Sequence, residues 1–305
     1  MTKIFIDGSA GTTGLRIRER LEQRPELELL TLPEELRKDV KAREEIINEA
    51  DIAFFCLPDA AAVESAALVH GNTAVIDTST AHRTAAGWTY GFPELHGLRE
   101  KIRNSRRIAN PGCHASGFIS LTEPLVHEGL ISPDTLLSCF SVTGYSGGGK
   151  SMIAAYEAAD RAAELDAPRQ YGLLQSHKHL PEMAKVCGLD FAPCFSPIVV
   201  PHLSGMEVTV QMHGVDVDAV RKCYRNCYHD DGLVRFVEDP AAAEGGFLSS
   251  AAFSGRDDME VSVCGNADRA VLVSRFDNLG KGASGAAIQN MNIVLGCAES
   301  EGLVR

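Results

Sequence analysis

A glycine-rich turn near the N-terminus constrains the fold of this chain more than any other feature. Residues 4–7 (IFID) read as a strand, and residues 15–21 carry apolar side chains at helical spacing. Glycines permit a tight turn and a close approach of the backbone to a ligand, and a helix N-terminus attracts a pyrophosphate. The segment between strand and helix has a GxxGxxG pattern and predicts a dinucleotide-binding turn, with a plain strand-to-helix turn as the alternative. Its residues are Gly8, Ser9, Ala10, Gly11, Thr12, Thr13 and Gly14.

Alternating strands and helices follow this turn. Residues 27–32, 51–57 and 74–77 read as short apolar strands, and an alanine-rich helix spans about residues 58–70. Strands that alternate with helices pair in a parallel sheet, which binds ligands at the carboxyl ends of its strands. The pattern therefore predicts an α/β Rossmann dinucleotide-binding domain. We expect residues 88–95, which suggest no particular chemistry, to form a loop.

Charged residues after the second predicted strand bear on the choice of dinucleotide. An NAD site often has an acidic residue at the end of this strand, where it binds the ribose hydroxyls. Here Glu34 and Glu35 lie just past a proline, and Arg37 and Lys38 follow. We expect NADP, with the two basic side chains near its 2′-phosphate. A solvated charged turn explains the same residues equally well.

The stretch RIANPGCHASGF, residues 107–118, contains a cysteine in a position that favours reactivity. A strand end leads through Asn-Pro-Gly into a helix that begins near Cys113. Unpaired N–H groups at a helix N-terminus favour the thiolate, which is the nucleophilic form of cysteine. We therefore expect Cys113 to be a nucleophile, with a buried structural cysteine as the alternative.

Composition excludes several classes of partner and site. The chain has 29 basic and 41 acidic residues, a net charge of −12, which argues against a surface for nucleic acid or an anionic membrane. Its nine cysteines include no CxxC pair, and a strand pattern begins directly after Met1, without a secretory signal. We expect a cytoplasmic protein without a metal centre, since Cys223 and Cys227 lack further ligands at suitable spacing.

A second glycine-rich segment, residues 144–151, formally matches the phosphate-binding P-loop. A predicted strand over residues 135–143 runs into GYSGGGKS, and a predicted helix over residues 152–165 follows. A P-loop usually follows the first strand of its own fold, and no later strand here ends in a metal-binding aspartate. An ATP-dependent kinase that uses this P-loop is therefore kept as an alternative function of a different class. The same loop, with Lys150, is also suited to holding a substrate phosphate.

Histidines are concentrated in the segment HKHLPEM. His177, His179 and Glu182 lie within six residues, but no HExxH pattern supports zinc. Imidazole titrates near neutral pH, so acid–base catalysis is the other interpretation, and His202 is a third histidine suited to it.

Beyond residue 206 the periodicity changes. Apolar and polar residues alternate over residues 207–212, as in an antiparallel strand. We therefore expect a mixed α+β second domain. Its further predicted elements are a helix over residues 216–228, strands over 261–263 and 271–273, a glycine-rich loop over 277–285 and a helix to about residue 297.

Eight segments, taken in order, carry a resemblance that covers essentially the whole chain. They are GSAGTTG (8–14), CLPD (56–59), DTSTAHR (77–83), YGFPEL (90–95), NPGC (110–113), SVTGYSGGGK (141–150), HKHLPEM (177–183) and DNLGKGASG (277–285). Together they resemble the N-acetyl-γ-glutamyl-phosphate reductase family, in its shorter (type 2) branch. That family belongs to the aspartate-semialdehyde dehydrogenase superfamily.

The resemblance implies an organisation and an activity. It implies an NADP-binding domain over residues 1–112, to which residues 280–305 return, and a catalytic and oligomerisation domain over residues 113–279. The implied activity is NADPH-dependent reduction of N-acetyl-γ-glutamyl phosphate in arginine biosynthesis, through a cysteine thioacyl-enzyme, by a homo-oligomer. Aspartate-semialdehyde and aminoadipyl-phosphate reductases remain open, because their substrates differ only in a methylene or an acetyl group. A non-catalytic NADP(H) sensor with an inert Cys113 is a further alternative.

The resemblance also implies roles for single residues. Cys113 matches the nucleophile and His177 the acid–base group, while His179 and His202 stay open for that second role. The implied substrate-binding residues are Tyr171, His179 and Glu182, and we expect Lys150, Ser146 and Gly147 of the second glycine-rich loop to bind the substrate as well. The implied cofactor-binding residues are Gly8, Ser9, Gly11, Thr12, Thr13, Gly14 and Asn278. The ligand of the substrate α-carboxylate is open among Arg83, Arg161 and Lys150, since Ser204-Gly205-Met206 stands where the longer branch has Arg-Gly.

Overall fold

The structure, a computed structural model, describes residues 1–240 and 242–305. The first part of the chain forms β1 (Thr2–Asp7), α1 (Thr12–Leu21), β2 (Leu27–Leu30), α2 (Val40–Glu49), β3 (Ile52–Phe55), α3 (Asp59–Ala67), β4 (Ala74–Asp77), β5 (Thr89–Tyr90), α4 (Leu98–Arg103) and β6 (Arg107–Ala109). The rest forms α5 (Cys113–His127), β7 (Ser138–Gly144), α6 (Gly149–Glu157), β8 (Arg169–Gln170), α7 (Leu180–Cys187), β9 (Cys194–Val200), β10 (Met206–His213), α8 (Val217–Cys227), β11 (Val234–Phe236), β12 (Met259–Gly265), β13 (Arg269–Phe276) and α9 (Gly285–Leu295).

These elements form two compact units. Unit 1 comprises Met1–Pro93, Gly97–Pro111 and Ala283–Leu303. Unit 2 comprises Glu94–His96, Gly112–Gly282 and Val304–Arg305.

Unit 1 is built on a parallel sheet with strand order β2-β1-β3-β4-β6-β5. Every residue of β3 and β4 is buried, as expected for parallel strands covered on both faces. Successive residues of β1 point to opposite faces, so Ile4 and Ile6 pack in one apolar cluster and Phe5 in another. Helix α9 contributes Ile288 and Met291 to the first cluster. The predicted Rossmann-type architecture is confirmed.

Unit 2 is built on a mixed sheet with strand order β11-β12-β13-β10-β7-β9-β8. Strand β10 runs antiparallel to both β7 and β13, and its buried residues alternate with more exposed ones. Helix α5 packs closely on this sheet. At Gly117 there is no room for a Cβ, which would overlap the side chain of Val208 on β10. The predicted mixed α+β second domain is also confirmed.

Two local predictions are wrong. Helix α6 starts at Gly149 and ends at Glu157, whereas the sequence predicts a helix over residues 152–165. The backbone turns extended at Ala158, and the Arg161 side chain donates to the carbonyl oxygen of Tyr156 at 2.9 Å, which replaces a helical hydrogen bond. Strand β5 lies in the segment predicted as a loop, where it pairs with β6. Across the described residues, no helix has the length and apolarity needed to cross a bilayer.

Candidate active site

Cys113 is the first residue of helix α5, and Gly112 precedes it with an extended backbone. Its side chain is partly exposed, and none of the nine cysteines, all in the described part of the chain, forms a disulfide. The Gly112 N–H donates to Glu182 Oε1 at 2.8 Å, so the buried carboxylate holds the turn that leads to Cys113. A Cβ on Gly282 would lie 2.9 Å from the Cys113 Cβ, so the facing backbone approaches the sulfur-bearing side chain closely.

A cluster of aromatic rings surrounds His114, the residue after the cysteine. The ring centroid of His114 lies 5.5 Å from that of His177, 5.6 Å from that of His179 and 5.3 Å from that of Phe195. His114 Nε2 lies 2.7 Å from the Tyr171 hydroxyl oxygen. The structure therefore brings Tyr171, His177 and His179 together around the residue that follows Cys113. No ring contact joins His202 to this cluster among the described residues.

Burial sets the protonation states in this cluster. Desolvation, with a smaller effect of the neighbouring His177, lowers the pKa of the fully buried His114 to about 3. Burial lowers the pKa of His177 below its usual 6.5, and the positive charge of Lys178 lowers it further. Burial, together with the negative charge of Cys113, raises the pKa of the Tyr171 hydroxyl. At neutral pH both imidazoles are therefore uncharged and Tyr171 retains its proton.

The low pKa of His177 predicts the acid side of the pH profile. A general base acts in its neutral form, so with His177 in that role, as the sequence predicts, activity should fall as the pH drops through its pKa, which lies below 6.5. We expect the acidic limb of kcat/KM below pH 6.5. Because the Lys178 charge depresses this pKa, Lys178→Gln should move the limb to higher pH without changing the plateau. If the acidic limb stays in place in Lys178→Gln, or persists in His177→Asn, the ionisation that causes it belongs to another group.

Two predicted substrate-binding residues of the second glycine-rich loop, Ser146 and Gly147, lie in the turn just before α6, and the third, Lys150, lies in the helix itself. Asn278 Nδ2 donates to Ser146 Oγ at 3.0 Å, and Asn278 Oδ1 accepts from the Gly205 N–H at 3.0 Å. Gly147 lies in the same place, since a Cβ there would approach Asn278 to 3.5 Å. Lys150 is exposed in the first turn of α6. Strand β7 before this loop belongs to a mixed sheet, and no observation favours the kinase alternative.

The loop that follows β13 is held by two buried charged groups. The Asp277 carboxylate accepts from the Leu279 N–H at 2.7 Å and from Ser204 Oγ at 3.1 Å. Lys281 Nζ lies 2.7 Å from Glu94 Oε1, and the Lys281 side chain is 1% exposed. Because Gly282 lies against Cys113, this ion pair anchors the backbone that faces the cysteine.

In unit 1, a cavity of about 370 Å³ lies beside the first glycine-rich turn. Gly8 and Ser9 line it, together with Asp7, Arg18, Thr31 and Arg37. Gly8 has φ +86°, and a Cβ there would overlap the Cys56 carbonyl oxygen, so the turn requires glycine.

The remaining cofactor residues predicted from the sequence begin helix α1. A Cβ on Gly14 would lie 2.5 Å from the Gly8 carbonyl oxygen. Gly11 precedes the helix without a side-chain cap, and Thr12 and Thr13 form its first turn. Backbone N–H groups in such a turn suit a pyrophosphate. The residues of this turn therefore fit a dinucleotide.

Among the described residues, no three His, Cys, Asp or Glu side chains come together in a way that would hold a metal ion. The three residues left open for the substrate carboxylate differ in their contacts. Arg83 donates to the carbonyl oxygens of Asn110 and Thr78, both in unit 1. Arg161 pairs with Asp166, and Lys150 is exposed.

Sequence reasoning missed several residues of this site. His114 and Phe195 do not stand out in the sequence, although His114 directly follows the proposed nucleophile. Neither does Ser141, whose Oγ lies 2.6 Å from His114 Nδ1. In the sequence, Lys281 is only one residue of a glycine-rich loop. Adjacency to Cys113 was the one local clue to His114, whereas its partners lie in other elements.

Comparisons with known proteins identify the family. Residues 113–278 match the family model described as semialdehyde dehydrogenase, dimerisation domain, and residues 32–105 match the one described as semialdehyde dehydrogenase, NAD binding domain. An N-acetyl-γ-glutamyl-phosphate reductase from Trichormus variabilis is 42% identical, and the match covers 99% of each chain. This chain belongs to the N-acetyl-γ-glutamyl-phosphate reductase family.

Solved structures agree with the fold of this reductase family member. Aspartate semialdehyde dehydrogenase II from Vibrio cholerae aligns with a TM-score of 0.69 at 17% identity, covering 96% of this chain and 98% of that one. Aspartate semialdehyde dehydrogenase with NADP from Candida albicans aligns with a TM-score of 0.63 at 16% identity, covering 97% and 98%. At these identities the likeness shows the fold, and the family assignment rests on the closer relative. The resemblance read from the eight segments is confirmed.

Proposed function

We propose that this protein reduces N-acetyl-γ-glutamyl phosphate to N-acetylglutamate 5-semialdehyde and phosphate, with NADPH as the electron donor. The observation that carries the proposal is Cys113 at the start of α5, next to the neutral imidazoles of His114 and His177 and to Tyr171, in a family named for this reaction. We assign cofactor binding to residues 1–112 with 280–305, and catalysis and assembly to residues 113–279.

The first chemical step belongs to Cys113. An acyl phosphate is already activated, so the sulfur attacks its carbonyl carbon, the carbon–oxygen bond to phosphate breaks, and phosphate leaves with the electron pair. A thioester on Cys113 remains. Backbone N–H groups at the start of α5 are suited to stabilise the developing oxyanion, a contribution of about 3–4 kcal/mol per donor in comparable sites.

The other residues prepare this step. Neutral His177 accepts the proton of the Cys113 thiol, since its lowered pKa keeps it uncharged at neutral pH. Glu182 fixes the turn before the cysteine, and Tyr171 offers a hydroxyl beside it. A bound nicotinamide cofactor supplies the hydride that reduces the acyl group.

The reaction is tested most directly in reverse. N-acetylglutamate 5-semialdehyde, NADP⁺ and inorganic phosphate are mixed with the protein, and NADPH formation is followed. We expect a rate that depends on phosphate and exceeds the rates with aspartate semialdehyde and aminoadipate semialdehyde. No NADPH formation, or a higher kcat/KM with either competitor, would contradict the proposed substrate.

The cofactor preference rests on the end of β2. Leu30 ends this strand without an acidic residue, and Arg37 and Arg18 line the adjoining cavity. We expect a KM for NADPH at least about tenfold below that for NADH, because a charge-assisted hydrogen bond to the 2′-phosphate is worth roughly 1.5–3 kcal/mol.

Two matched variants separate the basic residues after β2. Arg37→Gln should remove most of the preference by raising the KM for NADPH alone. Lys38→Gln serves as the control, since Lys38 is exposed and does not line the cavity. Equal Michaelis constants for NADPH and NADH in the parent protein would refute the NADP assignment.

The proposal also covers the oligomeric state of the protein and its cellular compartment. We infer a homo-oligomer formed through unit 2, because the sheet leaves Phe140 on β7 41% exposed and Leu136 just before that strand 80% exposed. The matched family model for this unit is described as a dimerisation domain. A working thiolate and nine cysteines without a disulfide suit the reducing cytoplasm.

A further inference from the structure

His114 carries two hydrogen bonds that the reaction as described does not use. Its Nδ1 lies 2.6 Å from Ser141 Oγ on β7, and its Nε2 lies 2.7 Å from the Tyr171 hydroxyl oxygen. The three side chains therefore form a chain of hydrogen bonds from the sheet of unit 2 to the ring cluster beside Cys113. His114 and Ser141 are buried, with Ser141 at 0% exposure.

The direction of these hydrogen bonds follows from counting protons. A neutral imidazole has one N–H donor and one bare nitrogen acceptor. Among the described residues, Ser141 Oγ makes no other hydrogen bond, so its hydrogen has His114 Nδ1 as its acceptor. A buried hydroxyl hydrogen is rarely left without a partner. Nδ1 is then the bare nitrogen, and the proton of the ring sits on Nε2.

The Nε2 proton in turn decides how Tyr171 is oriented. His114 Nε2–H donates to the Tyr171 hydroxyl oxygen, which accepts and so keeps its own hydrogen for another group. In the opposite tautomer, with the proton on Nδ1, the Tyr171 hydroxyl would donate its hydrogen to His114 Nε2. Burial keeps His114 neutral by lowering its pKa to about 3, so the ring does not gain a second proton at working pH.

We propose that Ser141 and His114 are positioning residues that set the His114 tautomer and leave the Tyr171 hydroxyl hydrogen for the carbonyl oxygen of the substrate bound at Cys113. Tyr171 is then a catalytic donor to the oxyanion that forms when the sulfur attacks. The proposal rests on the proposed acyl-phosphate chemistry for its catalytic part, while the tautomer itself does not.

The tautomer is measured directly by nitrogen NMR on protein labelled with ¹⁵N-histidine. The His114 resonances are assigned by their loss in His114→Phe or, if that variant does not fold, in His114→Gln. We expect a neutral ring protonated at Nε2, and in Ser141→Ala a shift towards protonation at Nδ1. A His114 ring protonated at Nδ1 in the parent protein would overturn the proposal, whatever the enzyme's substrate proves to be.

Kinetics test the coupling between His114 and Tyr171. Tyr171→Phe and His114→Phe should each lower kcat by about 10- to 100-fold, the size of one hydrogen bond to a charged group, with KM changed little. The double variant should be no slower than Tyr171→Phe alone, because His114 acts only through the Tyr171 hydroxyl, which is already absent. His114→Gln, whose amide nitrogen reaches the place of Nε2, should recover most of the rate.

A merely structural role for His114 gives a different pattern. The two losses would then multiply in the double variant, and His114→Gln would be no faster than His114→Phe. Either result contradicts the positioning role. A parent protein that fails the phosphate-dependent assay would instead refute the proposed function, and the NMR measurement would still decide the tautomer.

Discussion

Replacing Cys113 with serine is expected to lower kcat by about 10³-fold or more. A serine hydroxyl is not ionised near neutral pH, so the nucleophile that starts the reaction is lost while the fold of α5 is kept. Initial rates of phosphate-dependent NADPH formation measure the loss. Undiminished turnover would reject the thioacyl mechanism.

An exposed cysteine provides the matched control. Cys194 lies on β9 and is exposed, so Cys194→Ser should keep the parent rate. In that background, iodoacetamide should abolish activity, and peptide mass analysis should find the label on Cys113. Loss of activity with Cys113 unlabelled would place the essential thiol elsewhere.

The variant Lys281→Met is expected to destabilise unit 2 by about 3–5 kcal/mol. Lys281 and Glu94 form an ion pair at 2.7 Å, and both side chains are at most 5% exposed. Removing the ammonium group leaves a buried carboxylate without its cation, which is the costly way to break such a pair. Denaturant-induced unfolding, followed by circular dichroism, measures the loss. Activity should fall as well, because the neighbouring Gly282 faces Cys113.

Two comparisons separate burial from charge pairing in this result. Lys3 and Glu49 form an ion pair with the same 2.7 Å separation, but their side chains are 38% and 54% exposed. Lys3→Met should therefore leave the free energy of unfolding almost unchanged, because water screens an exposed pair. The double variant of Lys281→Met with Glu94→Gln should recover part of the stability, since no unpaired charge remains. Equal losses in Lys281→Met and Lys3→Met would contradict the assigned role of burial.

Local sequence patterns were sufficient to predict the structure wherever a short segment determines its own conformation. The turn at Gly8 follows a strand and requires glycine, with φ +86° and no room for a Cβ. Strands β3 and β4 are buried apolar runs, and the alternation along β10 marks a half-covered antiparallel strand. These features depend on neighbours within a few residues, so periodicity reveals them.

Predictions failed where a distant or competing contact decides the outcome. The alanine-rich sequence after Met152 favours a long helix, but the Arg161 side chain binds the Tyr156 carbonyl and the helix ends at Glu157. The two residues of β5 are too few to show a period, and they form a strand because β6 lies beside them. Propensity is a weak guide when tertiary contacts supply the hydrogen bonds.

By itself the sequence determined the parallel α/β first part, the mixed second part, the family, and the place of Cys113 at a helix start. Only the tertiary structure revealed that His114 lies between Ser141, 27 residues away, and Tyr171, 57 residues away. Likewise, the partners Lys281 and Glu94 are 187 residues apart. The physical reason is that burial and hydrogen-bond partners arise from strand pairing and helix packing between distant segments, and local periodicity carries no record of them.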